Sequence, residues 1–428
     1  MLKFFNIQRK DYKTMKKLLL FLLTFILVAC NADIEPTIET NIDNTEIISE
    51  RNIFQELLET ANENWEFSNN AFLSIEDFSY DIDFLLQMLE ENFPFIGVSE
   101  RMKNNSNLWN DFSEDLSTNL ELLYPLDSTN FEHFLVYKIF QYFNLAHLSV
   151  NPPHSSGTAS TSQLYEPLSF SPSIIEENKI ALIPIPPQYF EDTFDRIVTQ
   201  REMQDFISKV QMYEHIILDF RNLPGGVLDH VLGTFISPNI SEPLVLREFA
   251  FITGGSLAMA TYEHARRVTS RHNTFIRNVV GNEIVSATEF AQYHNLININ
   301  EKDLENLAYG FILETFVANS NTSLRLPFLS ENIWVLINSE MYSAAAIFSQ
   351  LSKEAGFILV GDTTGNHNSW GRAFFQLPKT GHTISMDTFY ITDSTGRNIE
   401  EFPTEPHYFN RPEMDTLETV LAIIAEQQ

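Results

Sequence analysis

Ser343 stands where an apolar run, residues 333–338 (IWVLIN), turns into a helical pattern over 344–355 that opens on three alanines. A serine at a strand-to-helix turn can do chemistry. The first-turn N–H groups of a helix are unpaired and point outward, so an oxyanion formed on the Ser343 hydroxyl would lie near the N–H of Ala344. The same serine can also be a helix cap, because serine is a preferred N-cap residue. A second constellation is Leu218-Asp219-Phe220-Arg221-Asn222-Leu223-Pro224-Gly225-Gly226, a buried strand running into a Pro-Gly-Gly turn. Paired glycines permit positive φ and close backbone approach, so Gly225 or Gly226 could supply a second oxyanion donor. Asp219 and Arg221 read as a structural pair at the strand end. A third is His147, in Asn144-Leu145-Ala146-His147-Leu148, because imidazole is the usual base for a serine. His215, His230, His264, His272, His367 and His382 compete with it on composition alone.

These groups need a frame. In DIDFLLQMLEENFPF, Ile82, Leu85, Leu86, Leu89 and Phe93 fall on one helical face, and Pro94 ends it. A second helix carries Trp109, Phe112, Leu116 and Leu120, and a third carries Phe131, Phe134, Leu135 and Phe140. All three stripes read as core. Residues 152–172 are rich in Ser, Thr and Pro and form a connection. Beyond it the pattern alternates: strands at 179–185, 214–220, 333–338, 357–360 and 383–390, with helices at 193–211, 229–236 and 344–355. Strands alternating with helices predict an α/β core, and continuous apolar strands predict a parallel sheet. The order of elements between 240 and 330 does not emerge from the pattern.

Lys16 and Lys17 precede an apolar run over 18–29 and then Cys30, the only cysteine. These are signal-peptide features, and the run is short for a membrane span. Leu-Val-Ala-Cys resembles a bacterial lipobox, which implies lipidation at Cys30 and attachment to a membrane of the cell envelope. The organisation expected is a signal peptide over 1–30, an acidic tether over 31–50, an N-terminal helical domain over 51–150, a connection over 151–176 and an α/β core over 177–428. The formal net charge of −30 repels nucleic acid, which removes that class of partner. A content of 36 phenylalanines argues for a substantial core.

Four segments, in this order, resemble those of the C-terminal processing peptidases (tail-specific proteases) and the tricorn core peptidases. LAHLSV is similar to their D-x-H-T segment, YEHIILDFRNLPGG to their strand with D-x-R-x-N-x-G-G, WVLINSEMYSAAAIF to their nucleophile segment, and LVGDTTG to V-G-E-x-T-G. The resemblance implies a crotonase-like (ClpP/crotonase) α/β core and a serine-type peptidase acting on peptides or proteins, with no cofactor and no metal. One branch of that family pairs serine with a downstream lysine. Here only Lys353 and Lys379 follow Ser343, and the relevant loop reads Gly365-Asn366-His367-Asn368. The resemblance therefore implies the tricorn-like branch, with Ser343 as nucleophile, His147 as base, and a late glutamate orienting the site. Glu400 matches best, with Glu401 next. Pro403 stands where the family has glycine, His407 where it has aspartate, and Ala346 where an acid is common; Asn222 is shifted. No insert of about 80–90 residues separates His147 from Lys179, so a PDZ module is not expected. The alternative is a non-catalytic lipoprotein holding a peptide or apolar ligand on the same fold. An α/β-hydrolase esterase is a third reading, against which no G-x-S-x-G elbow is present.

Overall fold

A computed structural model describes residues 73–123, 127–153, 170–187, 194–269, 276–319, 332–365 and 370–427. The expected signal peptide with Cys30, the tether over 31–50, most of the connection over 151–176, and His367 lie outside the described residues. Residues 70–428 form one compact unit.

Helix α1 (Ile75–Asn92) starts on a capping box: the Asp77 N–H donates to Ser74 Oγ, and the Ser74 N–H donates to Asp77 Oδ2. Of the expected stripe, Ile82, Leu85, Leu89 and Phe93 are buried and Leu86 is half-buried, and Phe78 joins them on the inward face. Helices α2 (Ile96–Met102), α3 (Leu108–Leu123) and α4 (Ser128–Tyr142) follow, the last capped by the Asp127 side chain. Phe131, Phe134 and Leu135 of α4 are buried, but Phe140 is 62% exposed. It points away because only three of the four positions share the inward face.

The chain then runs through β1 (Ser149–Asn151), β2 (Ser173–Glu176), β3 (Ile180–Pro184), α5 (Phe194–Val210) and β4 (His215–Asp219). The short α6 (Leu228–Val231) continues into a π turn over Leu232–Ile236. Next come β5 (Leu244–Ile252), α7 (Ser256–Thr269), β6 (Ile276–Val280), β7 (Val285–Ser286), α8 (Ala287–Tyr293), α9 (Glu301–Asn306) and β8 (Tyr309–Val317). The last stretch holds β9 (Ile333–Ile337), α10 (Ala344–Glu354), β10 (Ile358–Gly361), β11 (Arg372–Gln376), β12 (Thr383–Asp387), β13 (Tyr390–Thr392), β14 (Tyr408–Phe409) and α11 (Thr416–Glu426).

Three sheets result. The six-stranded sheet has the order β14-β10-β9-β4-β3-β2 and is parallel except at β2. Its strands β9 and β4 are the continuous apolar runs, buried on both faces by the clusters around α10 and around α11. An antiparallel sheet, β13-β5-β8-β6, takes β5, β6 and β8 from the stretch whose order the sequence pattern does not reveal. The third sheet is β1-β12-β11, also antiparallel. The strand expected over 383–390 is two strands in different sheets. It breaks at Thr388, whose N–H and Oγ1 both donate to the Gly371 carbonyl at 2.9 and 2.8 Å.

The helices do not stand apart from the sheets. Phe78, Leu85 and Phe131 share one buried cluster with Ile384 and Met386 of β12 and Phe251 of β5. Each such phenylalanine contributes roughly 1.5–3 kcal/mol by leaving water. Asp81, fully buried on α1, accepts the N–H groups of Lys379 at 2.8 Å and Thr380 at 2.7 Å. That carboxylate ties α1 to the turn between β11 and β12, and so locates β12 relative to the helices.

Candidate active site

Three of the motifs meet because three parallel strands end in register. Asp219 of β4 pairs with Leu336 of β9, and Ile337 of β9 pairs with Gly361 of β10. The loops that leave these carboxyl ends therefore adjoin, which is where open α/β sheets carry their sites. They are stitched together. The Asn222 N–H and side chain bond to the Asn338 amide at 3.0 and 2.6 Å, and the Tyr342 N–H donates to the Leu223 carbonyl at 3.0 Å. Phe220 stacks on Phe348 of α10 at 4.1 Å, anchoring the Gly-rich loop to the helix that follows Ser343. Asp219 and Arg221 form a bidentate pair at 2.8 and 2.7 Å, a structural arrangement.

Ser343 is the N-terminal flanking residue of α10, yet its side chain makes no capping bond. Its φ and ψ are +54° and −124°. A non-glycine residue held there costs on the order of 1–3 kcal/mol, and such strain concentrates at functional sites. The strain is held by a buried helix: Ala344, Ala345 and Ala346 are all within 3% of full burial. Gly225 has φ +87°, and a Cβ on it would stand 2.5 Å from the Tyr342 carbonyl oxygen and 2.8 Å from the Ala344 nitrogen. Only glycine lets these two backbones approach. The N–H groups of Ala344, Gly225 and Gly226 have no protein acceptor among the described residues.

His147 lies in the turn between α4 and β1, where its neighbours Ala146 and Leu148 join the core cluster of the helices. Both Ala146 and His147 have left-handed φ, +52° and +50°. Strand β12 fixes that turn through the Asp387 N–H to the Ala146 carbonyl at 2.8 Å and the Ser385 hydroxyl to the His147 carbonyl at 3.1 Å. The His147 N–H donates to the Tyr342 hydroxyl at 3.1 Å, and the two rings lie 4.6 Å apart. The imidazole is thus packed on the residue that immediately precedes Ser343.

His147 Nδ1 is 2.6 Å from Asp387 Oδ2. With Asp387 ionised the carboxylate only accepts, and the Nδ1–H tautomer of His147 then fits this contact and leaves Nε2 without a proton. Asp387 is fully buried, and burial pushes its carboxyl above the usual range, with His147 and then Arg372 pulling the other way. Arg372 Nε lies 3.9 Å from Asp387 Oδ1.

Sequence reasoning missed Asp387. It sits in TISMDTF, where alternation marks Ile384 and Met386 as core and leaves Ser385 and Asp387 on the other face. An acid ending a strand of alternating polar and apolar residues is the available signal. The two glutamates expected in the orienting role differ in their surroundings. Glu401 is held by Arg101, with contacts of 2.7–3.0 Å, in a cluster with Asp303. Glu400 is 1% exposed, and its charge is felt at the Tyr342 phenol. Lys353 donates to the Glu405 carbonyl and Lys379 lies over the Tyr80 ring, so neither is spent on Ser343. Among the described residues no group of side chains is arranged to hold a metal.

The fold sets helices ahead of a sheet-rich α/β core. The family model of peptidase family S41 matches residues 179–409, more than half of the chain, and the chain belongs to that family of serine peptidases. The match takes in Gly225, Ser343 and Asp387 and begins after His147. Similar solved structures include a candidate peptidase from Parabacteroides merdae ATCC 43184 (13% identity, 82% of this chain and 96% of that one, TM-score 0.49). They also include a lipoprotein from Streptococcus agalactiae (14%, 84% and 100%, TM-score 0.42). A third is the photosystem II D1 C-terminal processing protease (13%, 60% and 51%, TM-score 0.30). No curated protein matches the chain significantly.

Proposed function

We propose that the protein hydrolyses peptide bonds with Ser343 as nucleophile, His147 as base and Asp387 as the carboxylate that orients the base. The observation that carries this is the 2.6 Å contact of Asp387 on His147 Nδ1, with the imidazole packed against the neighbour of a strained, non-capping Ser343. Ser343 Oγ adds to the scissile carbonyl while its proton passes to His147 Nε2. The negative charge that develops on the carbonyl oxygen is received by the N–H of Ala344 and that of Gly225 or Gly226. Collapse of the adduct breaks the C–N bond, and the His147 proton goes to the leaving amine. Water then repeats the sequence on the acyl-enzyme, giving its proton to His147 and releasing the acid and Ser343. Glu400 adds a second buried carboxylate near Tyr342, and Glu401 serves the fold through Arg101. No step asks for a cofactor.

Labelling by a serine-directed fluorophosphonate tests the reading. Wild type should label and Ser343→Ala should not. Equal labelling of both, or none of wild type, would leave a binding protein on a peptidase fold.

The N-terminal pattern supports a finer proposal, that the chain is a bacterial lipoprotein attached at Cys30 and working at a membrane of the cell envelope. Cys30→Ser should move it from the membrane to the soluble fraction. Unchanged fractionation would remove the anchor. Among the described residues no helix is long and apolar enough to cross a membrane.

A further inference from the structure

We propose that Tyr342 is the positioning residue of the site, a strut that holds the base turn in register with the nucleophile; this rests on the serine peptidase reading above. Tyr342 touches all three parts of the machinery. Its phenol oxygen accepts the His147 N–H at 3.1 Å, and its ring packs on the imidazole at 4.6 Å. Its own N–H donates to the Leu223 carbonyl in the Gly-rich loop at 3.0 Å. Its carbonyl accepts the Ala345 N–H at 3.2 Å in the first turn of α10, and its peptide bond leads into Ser343.

The turn it holds needs holding. Ala146 and His147 are successive non-glycine residues at left-handed φ, and each costs roughly 1–2 kcal/mol there. The two carbonyls of the turn are fixed by β12, but among the described residues the His147 N–H has one acceptor, the Tyr342 hydroxyl. Without that oxygen a largely buried N–H loses its partner, and the turn can relax toward negative φ and swing the imidazole off line.

The phenol suits a constant strut. Burial, then the nearby charges of Glu400 and Asp387, push its ionisation well above the usual tyrosine range. It therefore stays a neutral hydroxyl across the working range of a peptidase, and its contact with His147 does not come and go with pH.

Tyr342→Phe keeps the ring and deletes the acceptor. Fluorophosphonate labelling rates and melting temperatures are measured for the full chain as wild type, Ser343→Ala, Tyr342→Phe and Tyr342→Phe with Ala146→Gly. The single Tyr342 variant should label about 10- to 100-fold more slowly, the size of loss that an ångström-scale misplacement causes, and melt close to wild type. Adding Ala146→Gly, which removes the cost of left-handed φ at that position, should recover a large part of the rate. A wild-type rate for Tyr342→Phe overturns the strut while leaving the peptidase standing. So does a slow rate that Ala146→Gly fails to improve. A wild type that does not label, or Ser343→Ala that labels equally, overturns the peptidase reading and the strut with it.

Discussion

His147 Nδ1 and Asp387 Oδ2 lie 2.6 Å apart although 240 positions separate them in the chain. The contact is built by packing. Asp81 on α1 pins the turn that starts β12, and β12 in turn carries both the carboxylate and the two bonds that shape the His147 turn.

The contact predicts which acid matters. Asp387→Asn should lower kcat by about 10,000-fold with the fold intact, because an amide presents the wrong partner to Nδ1 and leaves the imidazole in the wrong tautomer. Glu401→Gln should keep hydrolysis within about threefold and cost about 1 kcal/mol of stability from its partly exposed pair with Arg101. Steady-state kinetics and thermal melts of the two variants decide it. A large kcat loss at Glu401 with none at Asp387 would reassign the orienting acid.

Gly225→Ala should abolish most activity. The new methyl meets the Tyr342 carbonyl and the Ala344 nitrogen, so the oxyanion loop must retreat. We expect a loss of at least about 100-fold in kcat and about 1–3 kcal/mol in unfolding free energy. Full activity in this variant would place the oxyanion donors elsewhere.

Asp81→Ala should destabilise by about 2 kcal/mol, since it orphans the buried Thr380 N–H and the partly buried Lys379 N–H. Because the turn at 379–380 leads into β12, hydrolysis should also fall. Denaturant unfolding together with kcat measures both effects. A stable, fully active variant would mean that β12 is located without the helices.

Two buried groups should pull stability in opposite directions with pH. Burial raises the Glu248 carboxyl to about 7 and lowers His382 to about 4. Between its ordinary value and 7, Glu248 binds a proton in the folded state only, so its contribution falls as pH rises. Between 4 and its ordinary value, His382 binds a proton in the unfolded state only, so its contribution rises with pH. Each amounts to about 3 kcal/mol over its window. Relative to wild type, Glu248→Gln should gain stability from pH 4 to 8, and His382→Gln should lose it from pH 4 to 7. Parallel pH curves for either variant and wild type would deny that group its role.

Much of the frame could be read in advance. EHIILDF and IWVLIN are continuous apolar runs, the mark of strands buried on both faces, and their carboxyl ends carry the Gly-Gly turn and Ser343. The antiparallel sheet was opaque for a physical reason. The second half of β5 serves two cores at once, with Phe249 and Phe251 in one and Ala250 and Ile252 in another, so no alternation survives. Asp387 is hidden because its contact with His147 joins residues 240 positions apart, which no local spacing encodes. The left-handed turn at Ala146 and His147 contains no glycine or asparagine to announce it.

The contribution of β12 to the site also sets a timetable. During synthesis the histidine emerges first, the serine almost 200 residues later, and the aspartate later still. In the proposed chemistry an unfinished chain has no complete proton relay, and neither has any fragment that stops short of β12. On that reading the chain leaves the ribosome without hydrolytic power, which arrives only when β12 packs against the first helices.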